Sequence, residues 1–129
     1  MKIQESAENY LETILILSQN ENKVRSIDIA TELDFSKASV SVAMKNLRLS
    51  GYILMDLDGY ITLTDEGCKI AETMYERHIV ISDWLIYLGV DRKIAINDAC
   101  KMEHVISEQS FQAIKKHVEE WKKDVYKQK

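Results

Sequence analysis

The chain has 129 residues, a formal net charge of −4, 46% hydrophobic and 29% charged residues, and two cysteines. That size suits one compact unit or a small head with a helical appendage, and two thiols are too few for a disulfide framework, as expected in a reducing cytosol. No apolar run approaches the roughly 18 residues of a membrane span, and Glu5, Glu8 and Glu12 stand where a signal peptide would be basic and then apolar, so a cytoplasmic protein is expected.

Taken in order, Glu5 to Gln19 predicts a first helix with a broad apolar face from Tyr10, Leu11, Ile14, Leu15 and Leu17. Ser26 is expected to cap a short second helix over 27–33. After the tight turn Asp34-Phe35-Ser36 a third helix spans 37–49, with Val40, Ala43, Met44 and Leu47 on one face and Gly51 at its end. Asp58-Gly59 predicts a two-residue hairpin between strands at 52–55 and 60–63. Thr64 then caps a long helix over 65–88, in which Gly67 costs little, and Gly89 ends it. Two or three further helices follow Ile94. The fold class is mainly α: a winged helix-turn-helix over 1–64, then a helical half over 65–129.

The acidic total conceals a basic strip. From Phe35 to Met55 there is no acid, while Lys37, Lys45 and Arg48 are basic and Ser36, Ser39 and Ser41 offer small hydroxyls that can approach phosphates. The third helix is therefore the expected DNA-reading element, and one so modestly charged calls for a dimer; a solvated helix face that happens to be basic is the bland alternative.

The chemistry is densest at Cys100-Lys101-Met102-Glu103-His104. Positions i, i+3 and i+4 share a helix face, so a sulfur, a carboxylate and an imidazole converge, a donor set for transition metals rather than Mg²⁺ or Ca²⁺. A polar helix edge with a buried cysteine would read the same way. His78 lies near the apolar face of the long helix and Glu12 at an apolar border of the first; each alone is more simply a core histidine or a carboxylate reaching solvent. Together with Cys100, Glu103 and His104 they would complete a five-ligand set. Asn9 precedes Glu12 by one turn on the same side.

Tyr10-Leu11-Glu12, Ser39-Val40-Ser41, Gly59-Tyr60-Ile61-Thr62-Leu63-Thr64, Arg77-His78 and Asn97-Asp98-Ala99-Cys100-Lys101-Met102-Glu103-His104-Val105 together resemble the metalloregulators of the diphtheria toxin repressor and manganese transport regulator family, over nearly the whole chain. The resemblance implies a homodimeric, metal-dependent transcriptional repressor of metal uptake genes. Its winged head binds double-stranded DNA, its helical half holds the metal and dimerises, and the metal fixes the heads on an operator. It implies metal ligands at Glu12, His78, Cys100, Glu103 and His104. Asn9 replaces the aspartate of manganese-type members and the methionine of iron-type members, and its amide oxygen is a weaker ligand than a carboxylate. Cys100 matches the iron type, whereas Ser82 and Ile96 replace the glutamate and histidine of that type's ancillary site, which is expected to be incomplete. The chain also stops before the SH3-like third domain of iron-type members, as in the compact manganese build.

For DNA, the resemblance implies base-edge approach from Ser36, Ala38 and Val42 and phosphate contacts near Ser39, Ser41 and Asn46; Lys37, Lys45 and Arg48 are added from charge alone. A sulfur with imidazoles favours Fe²⁺, Co²⁺, Ni²⁺ or Zn²⁺ over Mn²⁺ in raw affinity, and selectivity in a cell also depends on which metal is free. Fe²⁺ is the expected ion, with Mn²⁺ next and Zn²⁺ or Co²⁺ able to bind in vitro. No membrane and no small-molecule substrate is expected. Two other classes stay open. Cys100-x-x-Glu103-His104 is one residue from the H-x-x-E-H signature of zinc hydrolases, which would need an open coordination position and a cleft. A winged-helix dimer independent of metal would instead make His78 and Cys100 core residues.

Overall fold

The computed structural model describes residues 5–20 and 23–127, with side chains described as far as residue 124. In chain order the elements are α1 (Glu5–Asn20), α2 (Ser26–Leu33), α3 (Lys37–Leu49), β1 (Ile53–Met55), β2 (Ile61–Leu63), α4 (Asp65–Tyr87), α5 (Arg92–Val105) and α6 (Glu108–Lys127). Two compact units meet within α4, between Met74 and Tyr75. Among the described residues no helix is long and apolar enough to cross a membrane.

The first unit is a winged helix-turn-helix. Its core gathers Leu11 and Ile14 from α1, Ile29 and Ala30 from α2, Val40, Met44 and Leu47 from α3, Ile53 and Ile61 from the strands, and Ala71 from the first turns of α4. These are the apolar positions of each element's own period, so the amphipathic pattern alone orients the helices. Ser36 caps α3, its hydroxyl accepting from the Ser39 amide at 3.1 Å. The C-terminal turn of α3 closes with Gly51 donating to the Arg48 carbonyl and Tyr52 to that of Leu47, a pattern that satisfies two terminal carbonyls.

Three local expectations are corrected. Ser26 is the first helical residue of α2, not its cap; Arg25 is the cap, and its amide donates to the Asp28 carboxylate at 2.9 Å. The wing hairpin pairs Ile53 with Leu63 and Met55 with Ile61, and its loop has three residues, 57–59, rather than two. Asp56 is responsible: its Oδ1 accepts from the amides of Asp58 and Tyr60, both at 2.9 Å, while its own amide donates to the Tyr60 carbonyl. Gly59 then supplies the left-handed residue (φ 85°) that a three-residue loop needs at its last position. Gly67 is a requirement, not a minor cost, because a Cβ there would stand 2.1 Å from the Tyr52 carbonyl oxygen. Val24 also bridges to Ile61, adding a short third edge to the wing.

The second unit packs the C-terminal part of α4 against α5 and α6 around Ile81, Ala99 and Phe111, with Val80, Leu85, Met102 and Ile106 at the margin. Asp91 caps α5 by accepting from the Lys93 amide, and Ser107 accepts from Ser110 at the start of α6. Ile86, Tyr87, Leu88 and Ile94 stay exposed on this unit.

Candidate metal centre and nucleic-acid face

His78 projects from α4, and Cys100, Glu103 and His104 from the last turns of α5. Helical spacing supplies three of the four groups, and the packing of α4 on α5 supplies the fourth. Glu103 is the centre of the cluster and only 1% exposed. Its Oε2 lies 3.4 Å from His78 Nδ1, and its Oε1 lies 3.3 Å from His104 Nε2. Those separations are within ion-pair range but lack hydrogen-bond alignment, so among the described residues neither carboxylate oxygen has a hydrogen-bond partner. His78 Nδ1 also lies 3.7 Å from Cys100 Sγ. One ligand atom each from His78, Cys100 and Glu103 falls within 4.8 Å of the others.

A buried carboxylate without hydrogen-bond donors is costly unless a cation compensates it. In the metal-free protein His78 provides the compensation. The adjacent Cys100 sulfur, then the Glu103 carboxylate in ion-pair range, push its pKa up to about 10 against the opposing effect of burial, so the proton stands where a metal would. Two imidazoles, a sulfur and a carboxylate suit a divalent transition ion, so the residues fit the group.

Cys100 is exposed, not buried, which removes the reading of this turn as a polar edge with a core cysteine. Glu12 is 5% exposed on α1, so it does not reach solvent as a border carboxylate would; Asn9 is half-buried one turn earlier. On the second unit Ser82 is buried, and Ile96 is exposed.

On the first unit Ser36, Lys37, Ala38, Ser39, Ser41, Val42, Lys45, Asn46 and Arg48 are all exposed, while Val40, Met44 and Leu47 on the opposite side of α3 are buried. Eight of the nine therefore occupy the solvent side of α3, and the ninth, Ser36, is its cap. The Ser36 hydroxyl, besides capping α3, donates to Ser39 Oγ at 2.8 Å, so both hydroxyls are oriented.

Two features escaped the sequence reading. Lys23 Nζ and Arg25 Cζ lie 5.0 Å and 4.3 Å from the centre of the Tyr60 ring, on either side of the bridging Val24. The polar-apolar-polar alternation Lys23-Val24-Arg25 was the available signal. Arg77 is buried and donates to the backbone carbonyls of Glu103 and Ile106. Its signal was a charge on the apolar stripe Met74, Arg77, Ile81.

Comparison with known proteins agrees with both halves. A family model described as the iron dependent repressor N-terminal DNA binding domain matches residues 2–60. Another, described as the iron dependent repressor metal binding and dimerisation domain, matches residues 64–129. The chain is 32% identical over 123 residues to an uncharacterised HTH-type transcriptional regulator of Methanocaldococcus jannaschii, covering 94% of this chain and 98% of that one. It is 35% identical over 111 residues to the transcriptional regulator MntR of Escherichia coli, covering 86% and 72%. A manganese-dependent transcriptional repressor, solved in complex with manganese, matches with a TM-score of 0.80 at 25% identity, over 87% of this chain and 52% of that one. The chain thus spans about half the length of that solved protein.

Proposed function

This chain belongs to the iron-dependent repressor family of metal-dependent transcriptional regulators, and from that premise we propose that it acts as a homodimer on operator DNA of metal uptake genes, in the cytoplasm. The observation that carries the reading is the Glu103 carboxylate, buried, without a hydrogen-bond partner among the described residues, and flanked by His78 and His104. The relatives are transcriptional regulators, and catalysis is no part of the proposal.

A divalent ion bound there would supply the positive charge that Glu103 and the Cys100 sulfur otherwise draw from a proton. Glu103 offers two oxygens, His78 and His104 an imidazole nitrogen each, and Cys100 its sulfur. Glu12 joins the proposed ligand set on the strength of the sequence resemblance, and Asn9 contributes at most a neutral amide oxygen. The sulfur disfavours Mn²⁺ relative to Fe²⁺, Co²⁺, Ni²⁺ and Zn²⁺ in raw affinity, and with metal availability Fe²⁺ is proposed as the physiological ion; Mn²⁺ stands next, supported by the manganese-dependent relative, and Zn²⁺ or Co²⁺ would bind in vitro.

Ser36, Ala38 and Val42 are proposed to approach base edges, Ala38 and Val42 by apolar contact such as with a thymine methyl. Ser39, Ser41, Asn46, Lys37, Lys45 and Arg48 would take the phosphates. Residues 1–64 and 65–129 are proposed as the DNA-binding and the metal-binding, dimerising parts. Exposed Ile86, Leu88 and Ile94 give the second unit apolar surface for a second copy. Metal and DNA affinities are then linked, and a coupling of about 1–3 kcal/mol makes each ligand strengthen the other roughly 5–150-fold. The alternative is a winged-helix dimer independent of metal; the exposure of Cys100 counts against its part in that reading as a core residue.

The test is operator affinity of wild type and His104→Ala, each with saturating Fe²⁺ or Mn²⁺ under anaerobic conditions and each with chelator. Wild type with metal should bind well above the other three states. Equal affinity in all four would leave a DNA-binding dimer that ignores metal.

A further inference from the structure

Arg77 stands one residue before His78 on α4, yet its side chain is only 11% exposed. Burying a guanidinium costs several kcal/mol unless its donors are used. Here the two Nη groups are used on specific acceptors, while among the described residues Nε has no hydrogen-bond partner. Nη1 donates to the backbone carbonyls of Glu103 and Ile106, each at 3.0 Å, and Nη2 donates to Glu108 Oε2 at 2.9 Å. The guanidinium carbon lies 5.4 Å from the centre of the Phe111 ring. One side chain of α4 thereby holds the end of α5 and the beginning of α6.

The carbonyls it selects are informative. α5 ends at Val105, and Ile106 leaves in extended conformation (φ −73°, ψ 138°), so the Glu103 carbonyl belongs to the terminal set that a helix leaves without an intrahelical donor. Arg77 supplies that donor, and its charge complements the negative end of the helix dipole. Whatever fixes the Glu103 backbone also fixes where the side chains of Glu103 and His104 begin. Because the fixing group is His78's chain neighbour, it sets their distance from the His78 ring.

We propose that Arg77 is a positioning residue for the metal centre, holding Glu103 and His104 at ligating distance from His78; the inference rests on the metal reading given above. Lysine cannot reproduce it, because an ammonium is a compact point charge without the planar fork that spans two carbonyls and a carboxylate. The exposed Glu108 end of the contact is secondary, since solvent screens it.

The test uses Co²⁺ as probe, under anaerobic conditions, on the full chain as wild type, Arg77→Lys, Arg77→Met and Val118→Ala. Val118 is 3% exposed on α6 and is not among the groups that hold the Arg77 guanidinium, so its truncation lowers stability while leaving those groups in place. Three quantities are read: the Co²⁺ dissociation constant, the ligand-field and sulfur-to-cobalt absorption bands, and the melting temperature without metal. Both Arg77 variants should bind Co²⁺ roughly 10–100-fold more weakly, as loss of groups behind metal ligands typically does, and with altered bands. Val118→Ala should melt earlier yet keep the wild-type affinity and bands. Unchanged affinity and bands in the Arg77 variants would overturn the proposal, as would an equal change in Val118→Ala. Failure of both Arg77 variants to fold would overturn it too, since the role would then be structural alone. A wild type that binds no Co²⁺ would instead remove the metal reading itself, and this inference with it.

Discussion

Raising the pH should strengthen metal binding through His78, by an amount that the site's geometry sets. His78 Nδ1 lies between Cys100 Sγ at 3.7 Å and Glu103 Oε2 at 3.4 Å, and these partners, Cys100 first, raise its pKa to about 10. A metal takes the neutral imidazole, so at any pH below about 10 binding must expel that proton. From this group alone the association constant rises about tenfold per pH unit, or about 100-fold over two units. In His78→Asn binding should be weaker at every pH, and the slope of log K against pH should fall by about one. Co²⁺ titrations across neutral pH give the slope, and calorimetry in buffers of different ionisation enthalpy counts the proton. Equal slopes in wild type and His78→Asn would refute the reasoning. The same shift governs the metal-free chain. The folded pKa is raised above the ordinary 6.5, so the stabilisation is complete below pH 6.5 and is lost as pH rises through about 10. Melting curves of metal-free wild type and His78→Asn should therefore differ most in mild acid and converge in strong base.

On α3, Lys37→Ala and Lys45→Ala should each weaken binding to many DNA sequences alike and lower the salt slope by about one, measured by titration at several salt concentrations. An unchanged slope for both would move the DNA-reading face elsewhere. Cys100→Glu should retain a metal response while shifting preference from softer ions toward Mn²⁺, read from competition between Mn²⁺ and Co²⁺. Gly67→Ala should destabilise the first unit by about 1–3 kcal/mol or more, because the new methyl meets backbone at 2.1 Å rather than a side chain that can swing aside. Urea melts check it, and a wild-type midpoint would mean that the Tyr52 segment yields freely. Sedimentation at micromolar concentration should give a dimer, and replacing exposed Leu88 and Ile94 with lysine should give a monomer.

The helices and the wing were legible because each is specified locally, by an apolar period inside and a Ser, Thr, Asp or Gly at the ends. The errors fall where a side chain reaches across a turn. Asp28 reaching back to the Arg25 amide displaced Ser26 as cap, and Asp56 collecting two amides lengthened the wing loop. Gly67 was misjudged for a different reason: the atom it must avoid belongs to Tyr52, fifteen positions away, and only the folded chain brings the two together. The candidate metal cluster divides the same way. Cys100, Glu103 and His104 announce themselves by spacing on one helix, whereas the approach of His78 to Glu103 depends on how α4 packs on α5. The spacing also hid the exposure of Cys100, because a period of 3.6 places residues on a face without saying what covers that face.

Thr64 has a consequence for how the head moves. Its hydroxyl donates to the Gly51 carbonyl at 2.7 Å and accepts from the Gly67 amide at 3.2 Å, while its own amide donates to the Tyr52 carbonyl at 3.1 Å. One residue thus rivets together the exit from α3, the return from the wing and the entry into α4, and Gly67 closes the joint with no room for a Cβ. α3 and its wing cannot pivot about this corner as separate parts; they tilt together with the root of α4 or the joint opens. Amide protons at 51, 52, 64 and 67 should accordingly exchange with solvent only when the whole head unfolds, which makes the reader a stiff die rather than a hinged one.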